Sequence, residues 1–166
     1  LKVNNYDYTG KKKNVINKML KIMSGQLRHD SDYVYIRHYM TVYQYVPLWV
    51  LMNVLTIGQL SKIYASQKGR IQIKVCQDFG ALKVNELGKM LAVMTKFRNV
   101  CAHNDRLFDF RTKDALLDRG IYDRLQISKE KGRYKYGKND LYAQVIILKL
   151  LLSDEDFRTF FHDLKV

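Results

Sequence analysis

The hydrophobic positions of this chain repeat mostly at intervals of three and four residues, which is the spacing of one face of an α-helix. The spacing predicts helices over residues 11–29, 33–43 and 85–101, and one or two closing helices over 141–152 and 157–164. Residues 48–57 are apolar nearly all round, so they are predicted to form a helix in the centre of the core. Gly58 is expected to break this helix before a further one over 59–67, and Trp49 is interpreted as a core anchor.

Short segments and helix ends complete the predicted fold. Residues 71–75 alternate in polarity like a strand, but no second segment offers a pairing partner, so a short helix is predicted there. Side chains that accept hydrogen bonds at helix starts are expected at Ser31 or Asp32, at Asn85 and at Ser153. The predicted fold class is all-α, a helical bundle.

Length and composition limit the class of protein. A chain of 166 residues with one proline and nine glycines fits a single domain with no flexible linker. Apolar runs such as 46–55 and 145–152 are shorter than the ~20 residues that cross a bilayer, so no membrane association is predicted. Two cysteines are too few for a disulfide framework, and a cytoplasmic location is expected. Because the sequence begins at Leu1, it is predicted to be the C-terminal part of a longer protein.

The chain is strongly basic, with 29 Lys and Arg against 16 Asp and Glu and a net charge of +13. This balance favours RNA, DNA or an acidic protein as a partner. One cluster of cations lies at Lys11–13 and a second lies at 129–138, where tyrosines alternate with the cations. Cations can contact phosphates while rings stack on unpaired bases. The candidate RNA contacts of the second cluster are Lys129, Lys131, Arg133, Tyr134, Lys135 and Lys138; an ordinary solvated loop is the alternative.

Four polar residues near the end of the 85–101 helix could carry chemistry. If the helix continues, Asn99, His103 and Arg106 fall within ~60° of one another at ~100° per residue. Asn99 lies one turn before His103, so it is expected to hydrogen-bond the imidazole or a ligand oxygen. Arg106 is counted among the candidate RNA contacts.

Arg98 presents a separate geometrical problem. It continues the stripe of Leu87, Leu91 and Met94, so it is predicted to lie on the apolar face, where a guanidinium needs an ion-pair partner, solvent or a ligand. Arg98 and His103 lie ~140° apart on a straight helix. The two side chains can therefore meet at one phosphate only if the helix ends or bends between them, or if a two-fold related partner contributes.

A histidine and an arginine suffice to cleave RNA without a metal, because the imidazole moves a proton and the guanidinium stabilises the charge that develops on the phosphate. The alternative is that His103 is a helix-terminal residue favoured by the helix dipole and that Arg98 is ion-paired. Cys76, Cys101 and His103 lack the paired spacing of a zinc site, and no glycine-rich nucleotide motif is present. Neither a metal nor a cofactor is predicted.

The segment RNVCAHNDRLF at 98–108 resembles the Arg-x4-6-His signature of the HEPN superfamily and the longer motif of bacterial Abi-like (abortive infection, AbiD/AbiF type) proteins. Upstream, PLW at 47–49 and LTIGQLSKIY at 55–64 are similar to further motifs of these proteins, and LYA at 141–143 resembles their closing helix.

This resemblance implies a HEPN-like helical bundle with short additional helices, formed as a single HEPN-like Abi domain over residues 1–166. It also implies a metal-independent endoribonuclease of a phage-defence or toxin-like system that works as a homodimer. His103 would act as base or acid, Arg98 would stabilise the transition state and Asn99 would orient the reacting groups, leaving 2′,3′-cyclic phosphate. An antitoxin protein or a small RNA is a candidate partner. The alternative function is a catalytically silent RNA-binding or dimerisation module.

Overall fold

Nearly all regular structure in this computed structural model is helical, which confirms the all-α prediction. The structure describes residues 3–10, 12–80 and 82–164. Lys11, predicted to belong to a basic cluster, lies outside the described residues. The helices are α1 (Lys12–Gln26), α2 (Val34–Tyr43), α3 (Leu48–Met52), α4 (Ile57–Ser66), α5 (Gly69–Gln77), α6 (Val84–Ala102), α7 (Gly120–Arg124), α8 (Leu141–Leu151) and α9 (Asp154–Leu164). Two short strands, β1 (Lys129–Glu130) and β2 (Arg133–Tyr134), pair antiparallel.

The chain folds as two compact units, residues 1–74 and 75–166, and the boundary falls within α5. In unit 1, α1 packs against α4. The buried core of this unit comprises Tyr6, Ile16, Met19, Met23, Leu51, Leu55 and Ile63. The alternating residues 71–75 lie in α5, so the prediction of a short helix there is confirmed. The predicted caps Ser31 and Asp32 are wrong, because α2 begins at Val34 after Tyr33, which makes no side-chain cap.

The segment predicted as one central helix over 48–57 is divided in two. Helix α3 ends at Met52, and α4 starts again after Thr56. The Thr56 hydroxyl accepts from the Gln59 amide at 3.2 Å, while the Gln59 side chain accepts from the Thr56 amide at 2.8 Å. This reciprocal capping box fixes a helix start that hydrophobicity alone does not indicate. Gly58 therefore lies inside the first turn of α4 and does not break a helix.

The short α3 helix buries only two of its five apolar side chains. Val50 and Leu51 are 2% exposed, whereas Leu48 and Trp49 are 58% and 66% exposed. The prediction of Trp49 as a core anchor is therefore wrong. A five-residue helix presents only one face to the core, so the remaining apolar side chains stay in solvent.

Unit 2 is built on α6, which packs against α8, and α8 also contacts α9. Helix α6 begins after Lys83, so the predicted cap Asn85 is wrong. The Glu86 carboxylate accepts from the Lys83 amide at 2.7 Å. The predicted cap Ser153 is confirmed, since its hydroxyl accepts from the Asp156 amide at 3.1 Å at the start of α9.

Asp140 joins three parts of unit 2. Its carboxylate accepts from the Ala143 amide at the start of α8, from the Gly137 amide at 2.9 Å and from the Arg111 guanidinium at 3.2 Å. Gly137 has a φ of +83°, and a Cβ there would lie 3.0 Å from Ile146 Cδ1. A side chain at this position would be strained by the positive φ and crowded by Ile146, so glycine is favoured, and Asp140 holds the resulting turn against α8.

We expect Asp140→Ala to lower the free energy of unfolding by ~2–4 kcal/mol, because it removes a helix cap and leaves the buried Gly137 amide without its acceptor. Urea denaturation checks this value, with Asp109→Ala, which alters an exposed carboxylate, as the control. Equal stability of the two variants would show that Asp140 does not hold the turn.

Candidate functional site

The buried face of α6 is rotated by about one residue from the predicted one. Its buried side chains are Leu87, Met90, Val93, Phe97 and Val100. Leu91 and Met94 are half-buried, and Arg98 is exposed. Both stripes have helical spacing, and only the packing of α6 against α8 selects between them. The prediction that Arg98 lies on the apolar face is therefore wrong, and its guanidinium needs no buried partner.

Helix α6 ends at Ala102, and His103 is the residue that follows its last turn. Asn104 has a φ of +54°, in the left-handed region. The Asp105 amide donates to Val100 O at 3.2 Å and the Asn104 amide donates to Cys101 O at 3.4 Å. These two bonds form a Schellman motif, which closes a helix and reverses the chain. Although α6 ends at Ala102, the His103 amide still donates to the Asn99 carbonyl four residues earlier, so the chain leaves the helical path only after His103. The closure therefore reverses the chain beyond His103 and does not by itself bring Arg98 and His103 together at one ligand.

The candidate catalytic side chains are all exposed at this helix end. Arg98 Nη1 donates to Asn99 Oδ1 at 3.5 Å. The His103 main-chain amide donates to the Asn99 carbonyl at 3.1 Å. Asn99 is therefore linked to Arg98 through its side chain and to His103 through its main chain, and among the described residues no hydrogen bond joins the His103 imidazole to either side chain.

Arg106 does not lie on the helix, because α6 has ended four residues earlier; the predicted alignment with Asn99 and His103 is wrong. Arg106 is exposed and makes no ion pair with another described residue. The chain then turns back, and Phe110 packs edge to face on Phe97, with ring centroids 5.2 Å apart. This contact holds the segment after the motif beside the last turns of α6.

The second basic cluster, residues 129–138, contains a β-hairpin. The sequence had indicated either a solvated loop or a binding site there, without this secondary structure. Lys129 pairs with Tyr134 and Glu130 pairs with Arg133. Lys131 and Gly132 connect the strands with φ values of +48° and +76°, as in a type I′ turn. The signal in the sequence is the two-residue turn that ends in glycine.

Three of the predicted RNA contacts are engaged in the packing of this hairpin. The Tyr134 ring stacks on Tyr122 with centroids 4.7 Å apart. Its hydroxyl donates to Asp123 at 2.8 Å and thereby lowers the pKa of that carboxyl. Lys129 Nζ lies 4.4 Å from the Tyr134 ring centroid and 3.4 Å from Asp123. Lys138 pairs with Asp118 and lies 4.9 Å from the ring of Tyr122, whose pKa is raised by burial.

The other three predicted contacts are free of such packing. Lys131, Arg133 and Lys135 are exposed and make no ion pair with another described residue. With Glu130 and Tyr134 they line a shallow depression of ≈ 500 Å³. These three cations, the hairpin cations, are the part of the cluster available to a polyanion.

Main-chain hydrogen bonds connect the hairpin to the segment that follows the motif. The Thr112 amide donates to the Asn139 carbonyl at 2.8 Å, and the Asn139 side chain donates back to the Thr112 carbonyl at 2.9 Å. Leu116 and Lys138 form a further main-chain bond of 2.8 Å. The helix end and the hairpin therefore belong to one scaffold within unit 2.

Two properties of the described ranges bear on cofactors and membranes. Across residues 3–10, 12–80 and 82–164, no group of three or more His, Cys, Asp or Glu side chains is placed to hold a metal ion. In the same ranges, no helix combines the length and the hydrophobicity needed to cross a bilayer.

Comparison with known proteins identifies the family of this chain. The family model described as "Abi-like protein" matches residues 1–109, which include unit 1 and the whole segment from Arg98 to Phe108. The chain belongs to the family of Abi-like proteins, and this membership suggests a role in abortive infection, a defence against phage. No curated protein and no solved structure matches the chain.

Asn104 is the residue of this site that the sequence analysis overlooked. Asn tolerates the left-handed region better than most residues, and an Asn just after a helix is the signal in the sequence that could have indicated this turn.

We expect Asn104→Val to lower the free energy of unfolding by ~1–2 kcal/mol, because a β-branched residue is strained at this φ. Asn104→Gly is the control and should match the wild-type protein in urea denaturation. Equal stability of Asn104→Val and Asn104→Gly would show that the turn does not depend on this conformation.

Proposed function

We propose that this Abi-like chain is a metal-independent endoribonuclease of the HEPN superfamily and of AbiD/AbiF type, acting in abortive infection or as a toxin. The observation that carries the proposal is the exposure of Arg98, Asn99 and His103 together at the end of α6, inside the segment that matches the family. The basic surface and the hairpin cations on the same unit support RNA as the substrate.

The proposed reaction needs only proton transfer and charge stabilisation. His103 accepts the proton of a ribose 2′-hydroxyl, and the 2′-oxygen then attacks the adjacent phosphorus. The bond between phosphorus and the 5′-oxygen breaks, and that oxygen takes up a proton from an imidazolium. Arg98 holds a non-bridging oxygen as negative charge develops on it, and Asn99 orients the guanidinium through its side-chain oxygen. The products end in a 2′,3′-cyclic phosphate and a 5′-hydroxyl.

A site shared between two copies accounts for the requirement of both a base and an acid. Within one chain Arg98 contacts Asn99, but among the described residues no hydrogen bond joins the imidazole to either side chain. A two-fold related copy supplies a second imidazole and a second guanidinium to the same phosphate. Bound RNA also offsets the repulsion between two chains of charge +13. Restraint of this activity by an antitoxin protein or a small RNA stays a prediction.

A catalytically silent RNA-binding or dimerisation module is the second candidate. The position of His103 favours it, because a histidine at a helix C-terminus is stabilised by the helix dipole whether or not it reacts. Binding of RNA that is unchanged in His103→Ala, with no cleavage by either form, would support this candidate.

We expect the purified protein to cleave a mixed RNA pool in excess EDTA, and His103→Ala to reduce the rate by ~10²–10⁴-fold, because it removes the proton-transferring group. Gel analysis with identification of the fragment ends checks both points. His162→Ala, which removes an exposed imidazole from α9, is the matched control. Equal cleavage by His103→Ala, or fragment ends without 2′,3′-cyclic phosphate, would contradict the mechanism.

The hairpin cations give a separate prediction about binding. Substitution of Lys131, Arg133 and Lys135 by Ala should weaken binding of single-stranded RNA and reduce the slope of log K against log salt by about 2, at ~0.7 for each phosphate that a cation no longer neutralises. The control replaces Lys62, Arg70 and Lys74 by Ala, which removes the same residue types and the same charge from unit 1. Equal weakening in both variants would mean that only net charge matters.

A further inference from the structure

The longest uncharged stretch of the chain lies in unit 1. Residues 38–61 contain no Asp, Glu, Lys or Arg, although these four residue types make up 27% of the sequence. A buried uncharged stretch would need no explanation, but a large part of this one is exposed. Its most exposed apolar side chains are Val42, Tyr43, Tyr45, Leu48 and Trp49, which are 54–66% exposed and are called the aromatic face below.

The aromatic face is continuous. The ring of Tyr39 lies 5.5 Å from that of Tyr43 and 6.1 Å from that of Trp49. Tyr43 in turn lies 6.5 Å from Tyr45. These contacts connect the end of α2 to α3 through touching rings, so the exposed side chains form one patch and not scattered single residues.

The helix α2, which carries part of the aromatic face, buries few side chains in the core of unit 1. Of the ten residues of α2 only Ile36 is buried. A helix of this length is only marginally stable in water without tertiary packing. The three exposed rings alone present roughly 350 Å², approaching half of the ~800 Å² that each partner buries in a typical interface. This area is comparable with the largest apolar patch of a typical monomer, ~300–600 Å², which is often functional.

The absence of charge identifies the kind of partner. RNA, an acidic protein or an anionic membrane would be attracted by cations on the face, and the stretch carries none. The nearest cation along the chain, Arg37, donates to the Ser31 carbonyl at 2.6 Å. Two copies of a chain with charge +13 repel wherever cations meet, so an uncharged face is the place where they can touch without this cost. Tyr, Trp and Met, with few charged residues, are also typical of interface cores.

We propose that the aromatic face is the surface through which a second copy of this chain binds, by two-fold contact of α2 and α3 with their counterparts. The proposal rests on the homodimer of the proposed function but not on RNA cleavage. It assigns to unit 1 a role in self-association, separate from the chemistry at the end of α6.

The test is sedimentation velocity of the full chain over a range of concentrations, with a matched pair of variants. Leu48→Lys places two lysines opposite each other in the proposed contact, and the dimer dissociation constant should rise at least about tenfold. Leu164→Lys adds the same charge at a leucine of similar exposure, 54%, and should sediment like wild type. Far-UV circular dichroism confirms folding, and Trp49→Ser repeats the test if Leu48→Lys misfolds.

Trp49 is the single tryptophan of the chain, so its fluorescence reports on the face directly. Its emission should shift to shorter wavelength as protein concentration rises, and addition of oligouridine or of phosphatidylserine vesicles should not reproduce the shift at low concentration. A shift caused by either of these probes instead would assign the face to RNA or lipid and overturn the proposal.

Three results in sedimentation would also overturn it: a wild-type monomer at all concentrations, a dimer retained in Leu48→Lys, or dissociation of both lysine variants alike. A dimer retained in Leu48→Lys contradicts only the face and leaves the ribonuclease proposal standing. A wild-type monomer that still cleaves RNA in EDTA contradicts the shared site and not the reaction. Loss of cleavage in His103→Ala is unaffected by any of these results.

Discussion

The closure of α6 at Asn104 is the constraint on which the candidate site depends. Two main-chain hydrogen bonds satisfy carbonyl groups at the end of α6, and they do so only because Asn104 adopts a left-handed conformation. The same closure reverses the chain directly after His103 and sends it back toward Phe97. His103 is therefore exposed at the tip of α6, one turn beyond Asn99, and does not lie along the side of a longer helix.

The basic charge of the chain is divided between structural and available cations. Lys129 and Lys138 are held by carboxylates and by aromatic rings, so their removal would disturb the packing of unit 2. Lys131, Arg133 and Lys135 project from the same hairpin without such partners among the described residues. A basic cluster in a sequence thus contains cations of both kinds. Only the structure distinguishes the cations that stabilise the hairpin from those that are free to bind a phosphate.

Helix positions and the all-α class were predictable because packing repeats every three to four residues and sequence records that period directly. The sequence could not predict which face of α6 is buried. Two sets of positions have the same helical period, Leu87-Met90-Val93-Phe97 and Leu87-Leu91-Met94-Arg98. The helix start after Thr56 depends on a reciprocal pair of side-chain hydrogen bonds, which hydrophobicity does not report. The motif at 98–108 was found as a candidate site from its residue types and its resemblance to Abi-like proteins, whereas its geometry required the positive φ of Asn104.

The turn at Gly137 has a consequence for how unit 2 can vary. A side chain at this position would be strained by the positive φ and crowded by Ile146, and Asp140 binds the same turn to α8, so the base of the hairpin tolerates little change. The tip at Lys131 and Gly132 is exposed to solvent. Substitutions at the tip of the hairpin should therefore leave folding unchanged, so the surface groups there can be exchanged independently of the base that holds them.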